Sequence, residues 1–380
     1  MVQTLDPSTG GVARAVGSLS KALVRRGHEV EIAALDNPFS AWHTDLGLPV
    51  HAIGSGMTSY RYSSALLPWL RKNRGRFDRV IVNGLWQYLG FAAWRCYARS
   101  TVPYYVFPHG MLDPWFKKTF PLKHLKKWLY WPWAEYRVLR DARAVIFTSE
   151  EERLQARKSF WFYRCRERIS PLGVESVNPT SAEAGEAFLQ RFPELRNTRM
   201  LLFLGRLHPK KGCDLLIEAL AGATDAEERL SLVLAGPDQV GWEQQLRAQI
   251  ARMNPSPLVV FTGMLEGTLK QSAFAAADAF ILPSHQENFG LSVVEALAGG
   301  LPVLLSDRVN IWREVAADKA GYVEADDLAG TRRLIERWMA TSPEERSAMK
   351  RNAIECFERR FEINRAADSL LKILNEPVAS

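Results

Sequence analysis

The chain has 380 residues, of which 47% are hydrophobic and 24% charged, with 25 Gly and 20 Pro. That is the make-up of a globular protein of two or three domains, and it excludes a collagen, a coiled coil or a disordered chain. The net charge of +7 is unevenly spread: residues 1–170 hold 26 Lys and Arg against 13 Asp and Glu, and residues 171–380 hold 23 against 29, so the two halves face different partners.

No stretch reaches the ~18 uncharged apolar residues of a membrane span. The start, Met1 to Pro7, has neither the basic nor the apolar region of a leader, so a cytoplasmic chain is expected. Cys96, Cys165, Cys213 and Cys356 lie too far apart for a zinc ribbon or a disulfide framework.

Short apolar or β-branched runs alternate with helical patterns throughout, the signature of βαβ units and parallel sheets. In the first half the expected strands are a short Met1–Leu5, then Val30–Leu35, Arg79–Val82, Tyr104–Phe107, Ala144–Thr148 and Ile169–Leu172. In the second they are Met200–Leu204, Leu230–Ala235, Leu258–Phe261, Ala279–Leu282, Pro302–Leu305 and Gly321–Val323. The pattern predicts two doubly wound domains, each with its own sheet. They span residues 1–175 and 176–360, with a punctuated joint over Gly173–Thr198. The brevity of the Met1–Leu5 strand suggests a start that lacks upstream residues.

In open α/β sheets ligands bind beyond the carboxyl ends of the strands, so the loops there carry function. The first, Asp6-Pro7-Ser8-Thr9-Gly10-Gly11, opens a helix over about Ala13–Arg26 and suits an anion at a helix N-terminus, or is a tight turn without ligand. The loop after Leu204 brings Arg206 and Lys211 to the start of another helix, where a bidentate guanidinium and a mobile ammonium could neutralise a diphosphate. After Leu282, Glu287 lies in a loop and Glu295 in the second turn of a helix over about Leu291–Ala298. Between them Asn288, Phe289, Gly290 and Leu291 present amides at that helix's N-terminus, while a carboxylate so near phosphates would accept from sugar hydroxyls.

The pattern Glu287-x7-Glu295 followed by Ala296-x3-Gly300-x-Pro302-Val303, with Gly205-Arg206 to Lys211-Gly212 upstream, resembles the retaining nucleotide-sugar glycosyltransferases of family 4. Gly10-Gly11, Gly27-His28, His109-Gly110 and Pro171-Leu172-Gly173-Val174 extend the likeness over essentially the whole chain. The resemblance implies the GT-B fold, α/β with two Rossmann-like domains facing across a cleft that shuts on the joint, and a helix over 361–380 crossing back to the first. It implies that Arg206 and Lys211 grip the donor diphosphate, that Glu295 holds the ribose, that Glu287 touches the transferred sugar, and that Asn288–Leu291 supply amides. By the same likeness Gly11 lets the first domain approach the diphosphate and His109 reaches the sugar. The resemblance further implies attack on the front face, with the departing phosphate taking the acceptor proton and no protein nucleophile.

Asn83-Gly84-Leu85-Trp86 stands where relatives often carry histidine, so acceptor contacts are expected to differ. His43, His51 and His208 fit no ligand role. Asp326-Asp327 reads as a helix start rather than a metal-binding Asp-x-Asp, so no metal and no cofactor beyond the nucleotide-sugar co-substrate is expected. His109 through Trp115 resembles enzymes of exopolysaccharide or lipopolysaccharide assembly, which implies a glycan or lipid-linked acceptor. Residues 115–140 hold seven Lys and Arg, one acidic residue and eight aromatics. They read as a helix packed on the first domain or as a peripheral site for an anionic membrane surface. The alternatives are a nucleotide-sugar epimerase, or a non-catalytic nucleotide-sugar or nucleic-acid binder; no nucleic-acid-binding signature is present.

Overall fold

The computed structural model describes residues 1–377 apart from 41, 43–45, 120, 177–181, 222–228 and 255. His43, Phe120 of the basic aromatic stretch and residues 177–181 of the joint therefore lie outside the described residues. The chain folds as two compact units, Met1–Val174 with Ile363–Ser380, and Glu175–Glu362.

The first unit runs α1 (Gly11–Arg25), β1 (Ile32–Ala34), β2 (Val50–Ala52), α2 (Leu66–Asn73), β3 (Val80–Asn83), α3 (Tyr88–Tyr97) and β4 (Tyr104–Phe107). It continues through α4 (Trp115–Thr119), α5 (Pro121–Tyr130), α6 (Glu135–Asp141), β5 (Ala144–Phe147), α7 (Glu150–Ala156) and β6 (Glu167–Ile169). All pairings are parallel. The strands do not form the single expected sheet: β1 and β2 pair alone, and β3-β4-β5-β6 form a second sheet.

The expected Met1–Leu5 strand is reduced to one bridge, Val2 with Ala34. The Val2 amide donates to Ala33 O at 3.0 Å, while Asn83 N donates to Met1 O at 3.0 Å. The segment thus lies between β1 and β3, too short to pair as a strand with either. The basic aromatic stretch is not one helix but α4, α5 and α6, broken by a turn around Trp131–Ala134.

The second unit runs α8 (Ala182–Arg191), β7 (Arg199–Leu204), α9 (Cys213–Ala221), β8 (Leu230–Ala235), α10 (Trp242–Ala251), β9 (Leu258–Gly263), α11 (Gly267–Ala276) and β10 (Ala279–Leu282). Then come α12 (Leu291–Ala298), β11 (Val303–Ser306), α13 (Trp312–Ala317), β12 (Gly321–Glu324), α14 (Leu328–Ala340) and α15 (Pro343–Arg360). Its parallel sheet has the order β12-β11-β10-β7-β8-β9. β10 and β11 are buried along their whole length, as strands with helices on both faces must be. Asp327 caps α14 by accepting from Gly330 N at 2.6 Å, and Ser342 with Glu345 forms a capping box on α15.

The last helix, α16 (Ile363–Leu374), belongs to the first unit. Its apolar face, with Ile363, Ala367 and Leu370, packs on Ala22, Leu23, Tyr105 and Phe107. Arg26 clamps its outer side through Asp368 at 2.5 Å. Gly173 permits this approach, because a Cβ there would stand 2.7 Å from Ile363 Cα.

Candidate functional site

Strand order reverses between β7 and β10: the chain continues from β7 to β8 and β9 on one side, then returns to β10, β11 and β12 on the other. A crevice for ligand opens at such a switch point, beyond the carboxyl ends of the strands. The loops that follow these two strands contain most of the site residues expected from the sequence.

After β7, Gly205 N donates to Ala235 O at 2.9 Å and Leu207 N to Pro237 O at 3.0 Å, fixing the loop to the end of β8. Arg206 is exposed and donates to Gln239 Oε1 at 3.3 Å. The turn Pro209–Lys211 is capped by His208, whose Nδ1 accepts from Lys210 N at 3.1 Å. Gly212 follows with φ of +70°, and a Cβ there would sit 2.4 Å from Pro283 O, so only glycine lets the two loops come this close. His285 N and Ser284 Oγ both donate to Lys210 O, at 2.9 and 3.0 Å.

That lacing brings Lys211 Nζ into an ion pair with Glu287 Oε2. Burial alone would push the Glu287 carboxyl up. Lys211 and Lys210, with hydrogen bonds from Lys211 and the Asn288 amide, hold it below the ordinary range, so it is a carboxylate at neutral pH. Its backbone is clamped by Arg308 O and Asn310 N, at 2.9 and 3.0 Å.

Asn288 Oδ1 accepts from Asn310 Nδ2 at 3.3 Å. Phe289 is buried, edge-on to Phe361 at 5.6 Å between ring centres. Gly290, with φ of +72°, caps α12, whose opening amides at Leu291 and Ser292 precede the first bonded one, Val293 N to Gly290 O at 2.9 Å. Glu295, one turn into α12, pairs with Lys270 Nζ on α11 at 2.6 Å. Arg206, Lys211 and Lys270, two carboxylates and a helix N-terminus thus occupy one end of one sheet.

In the first unit the order β2, β1, the Met1–Gln3 segment, β3 also reverses beside that segment, and Gly10 and Gly11 follow it. Gly10 has φ of +123° and precedes α1, which begins at Gly11. His109 follows β4 with φ of +50°, an uncommon conformation for a non-glycine residue. Its Nε2 meets Asn83 Oδ1 at 2.9 Å, and its ring stacks on Phe107 at 5.5 Å. Burial pushes its imidazole down to about 4, so it is neutral at pH 7, and the Asn83 oxygen requires the proton on Nε2.

Residues that the sequence did not single out hold this arrangement. Glu152, buried on α7, accepts from Gly110 N at 2.5 Å and from Thr148 N and Oγ1 at 2.7 Å each, tying the loops after β4 and β5 together. Glu135 is fully buried and accepts from Trp86 N at 2.7 Å, where Trp86 has φ of +67°. Lys270, Asn310 and Gln239 play the corresponding parts in the second unit. Only the triplet Glu150–Glu152 after Ser149 offered a signal, and it reads equally well as ordinary helix-start charge. Among the described residues no three His, Cys, Asp or Glu are grouped to hold a metal ion.

Comparison with known proteins gives the family and the fold. Residues 10–173 match the family described as Glycosyl transferase 4-like domain, and residues 186–355 match Glycosyl transferases group 1. Phosphatidyl-myo-inositol mannosyltransferase of Mycobacterium leprae is 33% identical over 162 residues, 42% of this chain and 40% of that protein. Alpha-D-kanosaminyltransferase of Streptomyces kanamyceticus is 25% identical over 251 residues, 64% of this chain and 63% of that protein. The chain thus spans 40% and 63% of the lengths of these two relatives. In fold it is similar to Anabaena HepE in complex with UDP, with a TM-score of 0.79, 19% identity and coverage of 99% of this chain and 98% of that one. It is also similar to WaaG, a glycosyltransferase involved in lipopolysaccharide biosynthesis, with a TM-score of 0.70, 18% identity and 97% of each chain covered. The chain belongs to the group 1 glycosyltransferases, with the GT-B fold.

Proposed function

We propose that this glycosyltransferase is a retaining enzyme that moves a hexose from a nucleotide-diphosphate sugar to a glycan or lipid-linked acceptor in exopolysaccharide or lipopolysaccharide assembly, working as a peripheral protein at the inner face of the membrane. The observation that carries the donor reading is the ion pair of Lys211 with Glu287 beside Arg206, Glu295 and the start of α12. A doubly anionic leaving group needs cations and outward amides, and sugar and ribose hydroxyls need carboxylate acceptors. HepE was seen with UDP and glucose and with UDP-glucose, which supports a uridine donor among those to be screened.

In this reading Arg206 and Lys211 hold the diphosphate, Glu295 accepts from the ribose, and Glu287 accepts from the hexose. Asn288 through Leu291 supply amides, and Gly11 and His109 act from the first unit. The bond from the anomeric carbon to phosphate breaks while a bond to the acceptor oxygen forms on the same face. The acceptor proton passes to the departing phosphate. Two cations and a helix N-terminus already neutralise that charge, so no metal is required of the protein.

A screen of UDP-, GDP- and ADP-sugars for nucleotide release tests the proposal. Release from one donor class that is stimulated by a glycan acceptor and abolished in Lys211→Ala supports it. Release of epimerised free nucleotide sugar instead, with no transfer, would overturn it.

A further inference from the structure

The helix α5 is apolar on two opposite faces. At roughly 100° per residue, His124, Lys127 and Trp128 centre on one side and Leu122, Leu125 and Leu129 about 140° away. The first side is packed: His124 stacks on Phe160 at 4.8 Å, Trp128 lies 5.8 Å from Phe160, and Lys127 sits over the Trp86 ring at 4.7 Å. Among the described residues the second side has no such cover. Leu122, Leu125, Leu129 and Trp133 are exposed, and so are Trp161 and Phe162, at between 60% and 81% each.

The two segments adjoin. Trp128 meets Trp161 edge-on at 5.8 Å, and Trp131 Nε1 donates to Trp161 O at 3.1 Å. Phe162 has φ of +56°, a conformation disfavoured for an aromatic residue, in the turn that puts both rings in solvent. Six large apolar side chains are thus exposed on α5, the turn after it and the Trp161–Phe162 turn that borders Trp128, exposed apolar surface of the kind that marks an interaction site.

Charge identifies what covers it. Residues 115–134 and 157–166 contain nine Lys and Arg and no Asp or Glu. Lys117, Lys123, Lys126 and Arg164 are exposed around the patch. Leu, Trp and Phe among mostly basic neighbours, with Glu167 paired to Arg157 and Glu135 buried, match the boundary between acyl chains and anionic headgroups. We propose that the outer face of α5 and the Trp161–Phe162 turn together dock this protein on an anionic lipid bilayer. The purpose of docking, access to a lipid-linked acceptor, rests on the function proposed above, whereas the surface itself does not.

The test is flotation of the full chain with vesicles of phosphatidylglycerol and phosphatidylcholine, against phosphatidylcholine alone, at low and high salt. Wild type floats with the anionic vesicles, and less so at high salt. Changing Lys123, Lys126 and Arg164 to Gln weakens partitioning roughly 100-fold. Changing Leu125, Leu129, Trp161 and Phe162 to Ser weakens it at least about 10-fold, while circular dichroism stays unchanged because these side chains are exposed. Wild type that stays down with anionic vesicles, or an apolar variant that floats like wild type, overturns the proposal. So does lipid-independent self-association that the apolar variant abolishes, which would assign the face to a second copy. Nucleotide binding, measured on the same samples, separates the outcomes: flotation without nucleotide binding sinks the donor reading and leaves the docking surface standing.

Discussion

Lys211 and Glu287 form an ion pair across the point where the strand order of the second sheet reverses, joining the loop after β7 to the loop after β10. The carboxyl is held below its ordinary range, so its contribution to stability is present above about pH 4.5 and is lost as pH falls through the lower folded value. Lys211→Met removes the cation and leaves a largely buried carboxylate, a loss of about 1–3 kcal/mol at pH 7. Urea midpoints measured from pH 7 to pH 3 should show the variant's deficit shrinking at the acid end; a constant deficit would mean that the pair contributes nothing electrostatic.

Glu295 and Glu287 should separate kinetically. Glu295→Ala removes the proposed ribose acceptor and also strips Lys270 of its partner at 2.6 Å, weakening nucleotide binding by ~1–3 kcal/mol. Glu287→Ala should lower kcat more than it raises KM, because the proposed contact is to the transferred sugar. Calorimetry with the nucleoside diphosphate and steady-state kinetics on both variants distinguish the two roles, and identical behaviour would refute the division.

His109 and Glu135 bend the pH dependence of the first unit in opposite directions. The His109 imidazole, pushed down to about 4 by burial, binds fewer protons folded than unfolded, so stability is complete above the free value near 6.5 and falls as pH drops from there to about 4. His109→Asn, which tolerates the positive φ, should flatten that fall. Glu135 is pushed up to about 8, chiefly by burial, so its contribution is complete below about pH 4.5 and is lost as pH rises towards 8. Glu135→Gln keeps an acceptor for Trp86 N and should stabilise the protein at pH 8 but not at pH 5. Denaturation of both variants at pH 5 and pH 8 checks the signs.

Glu152 is a positioning residue. Glu152→Ala leaves Gly110 N, Thr148 N and Thr148 Oγ1 without their acceptor, a loss of at least ~2 kcal/mol, and loosens the loop that carries His109. Glu152→Gln retains one acceptor oxygen and should recover part of both stability and kcat. Recovery of stability with none of kcat would argue against a role in placing His109.

The parallel architecture was legible because short apolar runs such as Val303–Leu305 and Leu232–Val233 stand between clear helical periods, and glycines mark the loops at their ends. β2 was not, since Val50-His51-Ala52 is three residues long and pairs only with β1. The segments that follow β7 and β10 were legible through spacing, because Glu287 and Glu295 lie eight positions apart on one loop and helix. Lys270 and Glu152 were not, because each reaches its partner from a different element, and one sequence carries no sign of such contacts. Likewise α5 showed its aromatic and basic character, but which of its two apolar faces stays uncovered depends on Phe160 and Trp131 folding beneath it.

The central claim, retaining transfer at the Lys211–Glu287–Glu295 site, is tested most directly by the anomeric configuration of the product. An α-linked nucleotide sugar that releases its nucleotide should be turned over by wild type with an acceptor glycan, and the new linkage read by proton NMR. The account predicts an α-glycoside from wild type and at least a ~10-fold slower reaction from Glu287→Ala. A β-glycoside, or an undiminished rate in both Glu287→Ala and Lys211→Ala, would contradict it.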